Sequence, residues 1–135
     1  MHHIRFVTVA VAAFIFSTVQ VHAKTNPECL KHLGGGLSDA DCYGGLTNDL
    51  VSENKILYSK IRKTIPKGNE HLHLLDDYMA AQNKAQEFCK LTRDASASWD
   101  SAPWGTMYPG IYAACVYDMR KAQNRYLREI LKSID

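Results

Sequence analysis

Four cysteines, Cys29, Cys42, Cys89 and Cys115, stand downstream of an N-terminal stretch laid out like an export signal, and that combination constrains the fold of this 135-residue chain more than any other feature. Exported thiols meet an oxidising compartment, so an even set of cysteines in a small chain reads as a disulfide framework. Arg5, with His2 and His3, gives a short basic start; Phe6 to Val19 is an almost unbroken apolar run; Val21-His22-Ala23 ends in the small residue a signal peptidase reads. Residues 1–23 are therefore expected to be cleaved as a signal peptide, leaving residues 24–135 as a single domain. The apolar run is about fourteen residues, short of the ~20 that a bilayer-spanning helix needs. After cleavage the chain is expected to have no membrane span and to be periplasmic or secreted.

About 110 residues can bury one hydrophobic core, though not a generous one. Two disulfides, contributing on the order of 2 to 4 kcal/mol each, would then supply a large share of net stability. Sixteen Lys and Arg against fourteen Asp and Glu leave a formal charge of +2. Arg5 departs with the signal, and no Lys/Arg block of the kind that neutralises phosphates occurs, which argues against a nucleic-acid partner.

Residues 24–45 carry Pro27, the triplet Gly34-Gly35-Gly36 and the pair Gly44-Gly45, and read as an irregular Cys/Gly-rich arm with one helical turn near Ser38 to Asp41. No Gly-Lys-Ser/Thr follows the triplet and no apolar strand precedes it, so it is a spacer and not a phosphate loop. Residues 46–135 read as a helical body. Leu46, Leu50, Leu57, Ile61 and Ile65 fall at helical spacing, with Thr47 or Asn48 as cap and Pro66-Lys67-Gly68 as stop. A second helix is expected from Asn69 to about Ala97, and a third after Pro109-Gly110 carrying Cys115, Val116, Met119, Tyr126, Leu127 and Ile130 on one side. No segment alternates with period two. The fold class that follows is all-α: a small antiparallel three-helix bundle with a disulfide-tied irregular N-terminal arm.

Four cysteines allow three connectivities. A hairpin turning near Asp100 to Tyr108 brings Cys89 level with Cys115, which favours that pair together with Cys29 and Cys42, while counting alone leaves the others open. No Cys-x-x-Cys pair points to a metal site, and His71 and His73, two residues apart, face different ways on a helix. Asp76 and Asp77 are adjacent and cannot both face one substrate as glycosidase carboxylates do. A nucleophile needs a base beside it, and the cysteines are expected to be bonded. The reading is of a protein that is not an enzyme, with no catalytic residue, no metal site and no cofactor.

Between Ser98 and Tyr112 lies a different kind of segment. Trp99, Trp104, Met107, Tyr108 and Tyr112 cluster beside Pro103, Gly105, Pro109 and Gly110, and Trp and Tyr are the types enriched in binding hot spots. Such a loop either folds back as a lid on the core or presents an exposed partner-binding anchor, and the exposure of Trp99 and Trp104 separates the two.

Ala85-Gln86, then Arg93-Asp94-Ala95, then the loop Trp104-Gly105-Thr106-Met107-Tyr108-Pro109, then Cys115 leading into a basic amphipathic helix, resemble the LprI-like lysozyme inhibitor family. Cys29 and Cys42 are similar to its early cysteine pair, and Asp49, Asn54 and Tyr58 to its first helix, so the resemblance spans nearly all of residues 24–135. The chain departs from the pattern in having Cys89 where an aromatic is usual and Ala97 where a cysteine is. The resemblance implies an exported inhibitor that occludes a lysozyme or other peptidoglycan muramidase. Gln86, Arg93 and Asp94 are read as structural, with Arg93 in an ion pair that fixes the helix hairpin. The alternatives are a structural or chaperone-like periplasmic protein, or an immunity protein against a wall-degrading toxin.

Overall fold

The computed structural model describes residues 23–134, so the expected signal peptide lies outside the described residues except at Ala23. Four α-helices form three rods: α1 (Leu37–Thr64), then α2 (His71–Ala85) and α3 (Cys89–Ser96), joined by a single 3₁₀ turn at Gln86–Phe88, then α4 (Met107–Lys132). A further 3₁₀ turn, Pro27–His32, precedes α1, and no strand occurs among the described residues. The all-α reading holds.

Facing residues give the directions of the rods. Gly36 lies at Gly110, the Tyr43 ring packs tilted against Tyr117, and Asn54 meets Gln123, so α1 and α4 run the same way. Tyr78 faces Tyr126 and Cys89 bonds Cys115, so the middle rod returns antiparallel to α4. The core is built at one end from Leu57 and Ile61 of α1, Leu75 of α2 and Leu127 of α4, with Tyr58, Ile65, Tyr78, Met79, Ile130 and Leu131 around them.

Helix α1 begins at Leu37, nine residues before the expected start at Leu46, so the irregular arm ends at Gly36. Thr47 and Asn48 are interior residues, and Gly36, at φ 90°, occupies the cap position. Mid-helix glycine costs roughly 1 kcal/mol relative to Ala, which is why the Gly44-Gly45 pair reads as loop. Tertiary contacts override that penalty. Cys42 and Leu46 are buried one turn apart, Tyr43 meets Tyr117 at 5.6 Å between ring centres, and the Asp39 carboxylate accepts from the Gly34 and Gly35 amides at 3.1 and 2.9 Å. The other boundaries lie close to expectation: Asn69 Oδ1 accepts from His71 N at 2.9 Å as a cap does, and α1 stops before Pro66.

Both disulfides form, Cys29–Cys42 and Cys89–Cys115, with Cα separations of 5.8 and 5.6 Å, and no described cysteine is free. The native oxidised protein is therefore expected to take up no alkylating reagent before reduction, as read by intact mass. Cys115→Ala is expected to cost about 2 to 5 kcal/mol, because Cys89, wholly buried, would be left without its bond to α4.

Tyr58, Arg62 and Asp76 tie α1 to α2. The Tyr58 hydroxyl donates to Asp76 Oδ1 at 2.6 Å, and Arg62 Nη1 reaches the same oxygen at 2.5 Å. The hydroxyl first, then the guanidinium, hold the Asp76 pKa below the ordinary carboxylate value. A depressed folded-state pKa stabilises the fold above the unfolded value of about 3.9 and loses that contribution as pH falls through the folded value. Wild type is therefore expected to lose stability below about pH 4 more steeply than Asp76→Asn, measured by urea melts across acid pH.

Candidate partner-binding loop

The aromatic segment is positioned by the way α3 ends. Ser98 N donates to Ala95 O at 3.2 Å and Trp99 N to Asp94 O at 2.6 Å, the paired bonds of a Schellman termination. That motif places Ser98 where glycine is usual, and both Ser98 (φ 54°) and Trp99 (φ 70°) are left-handed. Side-chain-bearing residues pay roughly 1 to 2 kcal/mol in that region, so Ser98→Gly is expected to stabilise the protein by about 0.5 to 1 kcal/mol in a thermal melt.

Beyond Trp99 the loop is pinned from beneath. Arg93 Nη2 donates to Ser101 O at 2.9 Å while its Nε donates to Asp94 at 2.7 Å, and Asp100 Oδ1 accepts from Ala102 N at 3.0 Å. Gly105, at φ 131°, turns the chain into α4, whose first turn accommodates Pro109 because no amide hydrogen bond is forfeited there. Gly110 is buried: a Cβ there would lie 3.4 Å from Gly36 O, and this close approach seats the start of α4 on the start of α1. Cys89–Cys115 closes the base of the loop.

On this scaffold Trp104 is 98% exposed and Trp99 71% exposed, so neither serves as a lid. Met107 is also exposed, whereas Tyr108 and Tyr112 are half-buried. The last three belong to α4, so the irregular stretch ends at Thr106 and not at Tyr112. Tyr108, Tyr112, Arg93, Pro103 and Pro109 share an open cleft of about 450 Å³, and the two tryptophans lie outside its lining. Arg93 pairs with Asp94, both half-buried, and its hold on Ser101 makes it a clamp for the loop; Glu87 pairs instead with Lys90.

Gln86 bridges rods, and it leads to a feature that sequence reasoning missed. Its amide, turned with the oxygen toward α4, accepts from Arg120 Nε at 3.1 Å. Arg120 is buried with no carboxylate partner among the described residues; its other nitrogens donate to Gln123 Oε1 and Asn83 Oδ1, each at 2.7 Å. Burial pulls its pKa below the ordinary guanidinium value. Asn54 donates to Gln123 Oε1 at 3.1 Å and accepts from Asn124 at 2.9 Å, while Arg128 extends the chain of bonds from Asn124 to Glu53 at the surface. The signal was present in the spacing. Asn54 falls on the stripe of Leu46, Leu50, Leu57 and Ile61, and Arg120 and Gln123 fall on that of Val116 and Leu127, but a stripe counted only in apolar residues passes over them.

Among the described residues no group of three His, Cys, Asp or Glu is placed to hold a metal ion, and no helix is long and apolar enough to cross a membrane. The chain matches no protein-family model, no curated protein and no solved structure.

Proposed function

We propose that this is an exported, lysozyme-inhibitor-like protein, processed after Ala23, that acts by binding and not by catalysis, with the Trp99–Thr106 loop and the start of α4 at Met107 as its contact with a peptidoglycan muramidase. The observation that carries this reading is Trp104, 98% exposed on a loop held by the Arg93 clamp, the α3 termination and a disulfide at its base. Exposed aromatics cost little entropy to order when the backbone beneath them is already fixed, and that preorganisation favours affinity. A purely structural or chaperone-like role would permit the same loop to be buried, and its exposure speaks for the anchor. Steering adds little, since the chain is close to neutral while animal-type lysozymes are basic; Asp100, on the loop, supplies a local acidic contact.

The test is muramidase activity with and without the purified protein beginning at Lys24. Inhibition of an animal-type or a bacterial muramidase supports the reading. No effect on either removes it.

A further inference from the structure

The chain up to and including the first 3₁₀ turn is fixed to α1 at three points. The Thr25 amide donates to Asp49 Oδ2 at 2.7 Å. Its side chain lies so close to the helix that a Cβ at Gly45 would come within 2.6 Å of Thr25 Oγ1. Behind it, Cys29–Cys42 bonds the turn to α1. Lys24 lines, with Asp49 and Glu53, a groove of about 690 Å³ between this segment and α1. Glu53 pairs with Arg128, whereas Asp49 has no cation within salt-bridge distance among the described residues.

Resting on the export reading, we propose that cleavage after Ala23 completes a latch: the new α-ammonium group of Lys24 becomes the cation that Asp49 lacks. Successive backbone nitrogens lie at most about 3.7 Å apart, so the Lys24 nitrogen is within roughly 6.5 Å of the Asp49 oxygen that holds Thr25. In the precursor that nitrogen is a neutral amide. After cleavage it is a charge near a carboxylate, in a groove lined in part by Leu46, Leu50 and Ile56, and the pair stabilises the docked arm. Gly45 fits the same account. Alanine would be the better helix former there, but its methyl group would displace Thr25 and with it the amide on Asp49. The consequence is a precursor less stable than the product, which favours the unfolded state that export through a membrane requires and withholds the last stabilising contact until the chain has crossed.

The test is a double-mutant cycle on the protein beginning at Lys24, compared with the same chain carrying Gly-Ser ahead of Lys24, each with Asp49 and with Asp49→Asn. The extension is expected to lower the Tm by about 3 °C or more when Asp49 is present and by less than about 1 °C with Asp49→Asn. Gly45→Ala is expected to erase the effect of the extension in the same way. By NMR, the Lys24 α-amino group should titrate above its ordinary range of about 7.7 to 8.0 and return to it in Asp49→Asn. An extension that changes the Tm equally in both backgrounds, or in neither, would overturn the latch, as would an unshifted α-amino group. N-terminal sequencing of the exported protein separates the two readings. A start at another residue overturns the latch together with the cleavage reading; a start at Lys24 without coupling overturns the latch alone. None of these three readouts involves a muramidase, so failure of the inhibitor reading would appear elsewhere.

Discussion

Asn54→Leu is expected to destabilise the protein by about 3 kcal/mol, a fall in Tm of roughly 10 °C or more for a domain of this size. Leucine keeps the branched shape, with four side-chain heavy atoms, and extends the apolar stripe of α1, so a purely hydrophobic account of the core predicts a gain. The polar groups decide otherwise. Asn54 is 1% exposed; its amide donates to Gln123 Oε1 and to the Arg120 carbonyl, and its oxygen accepts from Asn124. Leucine would leave the Asn124 amide without its acceptor, at a cost of about 1 to 3 kcal/mol for a buried group, and would loosen the set of oxygens that solvates Arg120. Among the described residues the side-chain acceptors of that arginine are neutral amide oxygens, and any change that degrades them exposes the cost of a buried charge. Arg120→Met together with Asn54→Leu is expected to lose less than the sum of the two single changes, since removing the charge removes the need for its cage. Urea melts with unchanged m-values would check both. A loss under 1 kcal/mol for Asn54→Leu would mean that water reaches the network.

The same residues show where sequence reasoning reaches and where it stops. Helical spacing located the middle rod and α4, because Leu75, Tyr78 and Cys89, and Val116 and Leu127, lie three or eleven residues apart, spacings that return to one helix face, with unambiguous chemistry. The cysteine spacing pointed to the two bonds that form once helix directions were assigned. Of the first nine residues of α1, only a helical turn near Ser38 to Asp41 was legible. Their glycines carry a local penalty, and what offsets it is a disulfide, a tilted Tyr43–Tyr117 contact and the approach of Thr25, all contacts with residues distant in sequence. The interior network was missed for the converse reason. Asn, Gln and Arg are surface residues by default, and only the geometry of three rods converging on Gln123 shows that they satisfy one another. As for the loop, composition marked its aromatics but did not decide between lid and anchor; the Schellman bonds and the Arg93 clamp, which hold Trp99 and Trp104 clear of the core, arise from backbone geometry that residue types do not encode directly.

If the protein inhibits a muramidase as proposed, Trp104→Ala is expected to weaken that inhibition by about 30-fold or more, equivalent to roughly 2 kcal/mol of lost binding, while leaving the Tm within about 1 °C of wild type. The separation of the two effects follows from exposure. A side chain that is 98% exposed buries almost nothing in the free protein, so its removal costs the fold little. Whatever it contributes must come from surface covered in a complex. Tyr108→Ala is the contrasting case: the ring is half-buried, within van der Waals reach of a Cβ at Gly105 and in the cleft with Arg93, so both inhibition and stability should fall. Arg93→Ala tests the support. Removing the guanidinium frees Ser101 O and leaves Asp94 half-buried without its partner, so the loop should lose its fixed shape and inhibition should weaken although the aromatic side chains are intact. Inhibition and Tm, measured side by side for the three variants, distinguish the outcomes. If Trp104→Ala inhibits as well as wild type while Tyr108→Ala and Arg93→Ala do not, the contact surface is the cleft and the exposed tryptophan is incidental. If all three inhibit like wild type, the anchor lies off the loop, and the proposal that the loop carries binding is wrong.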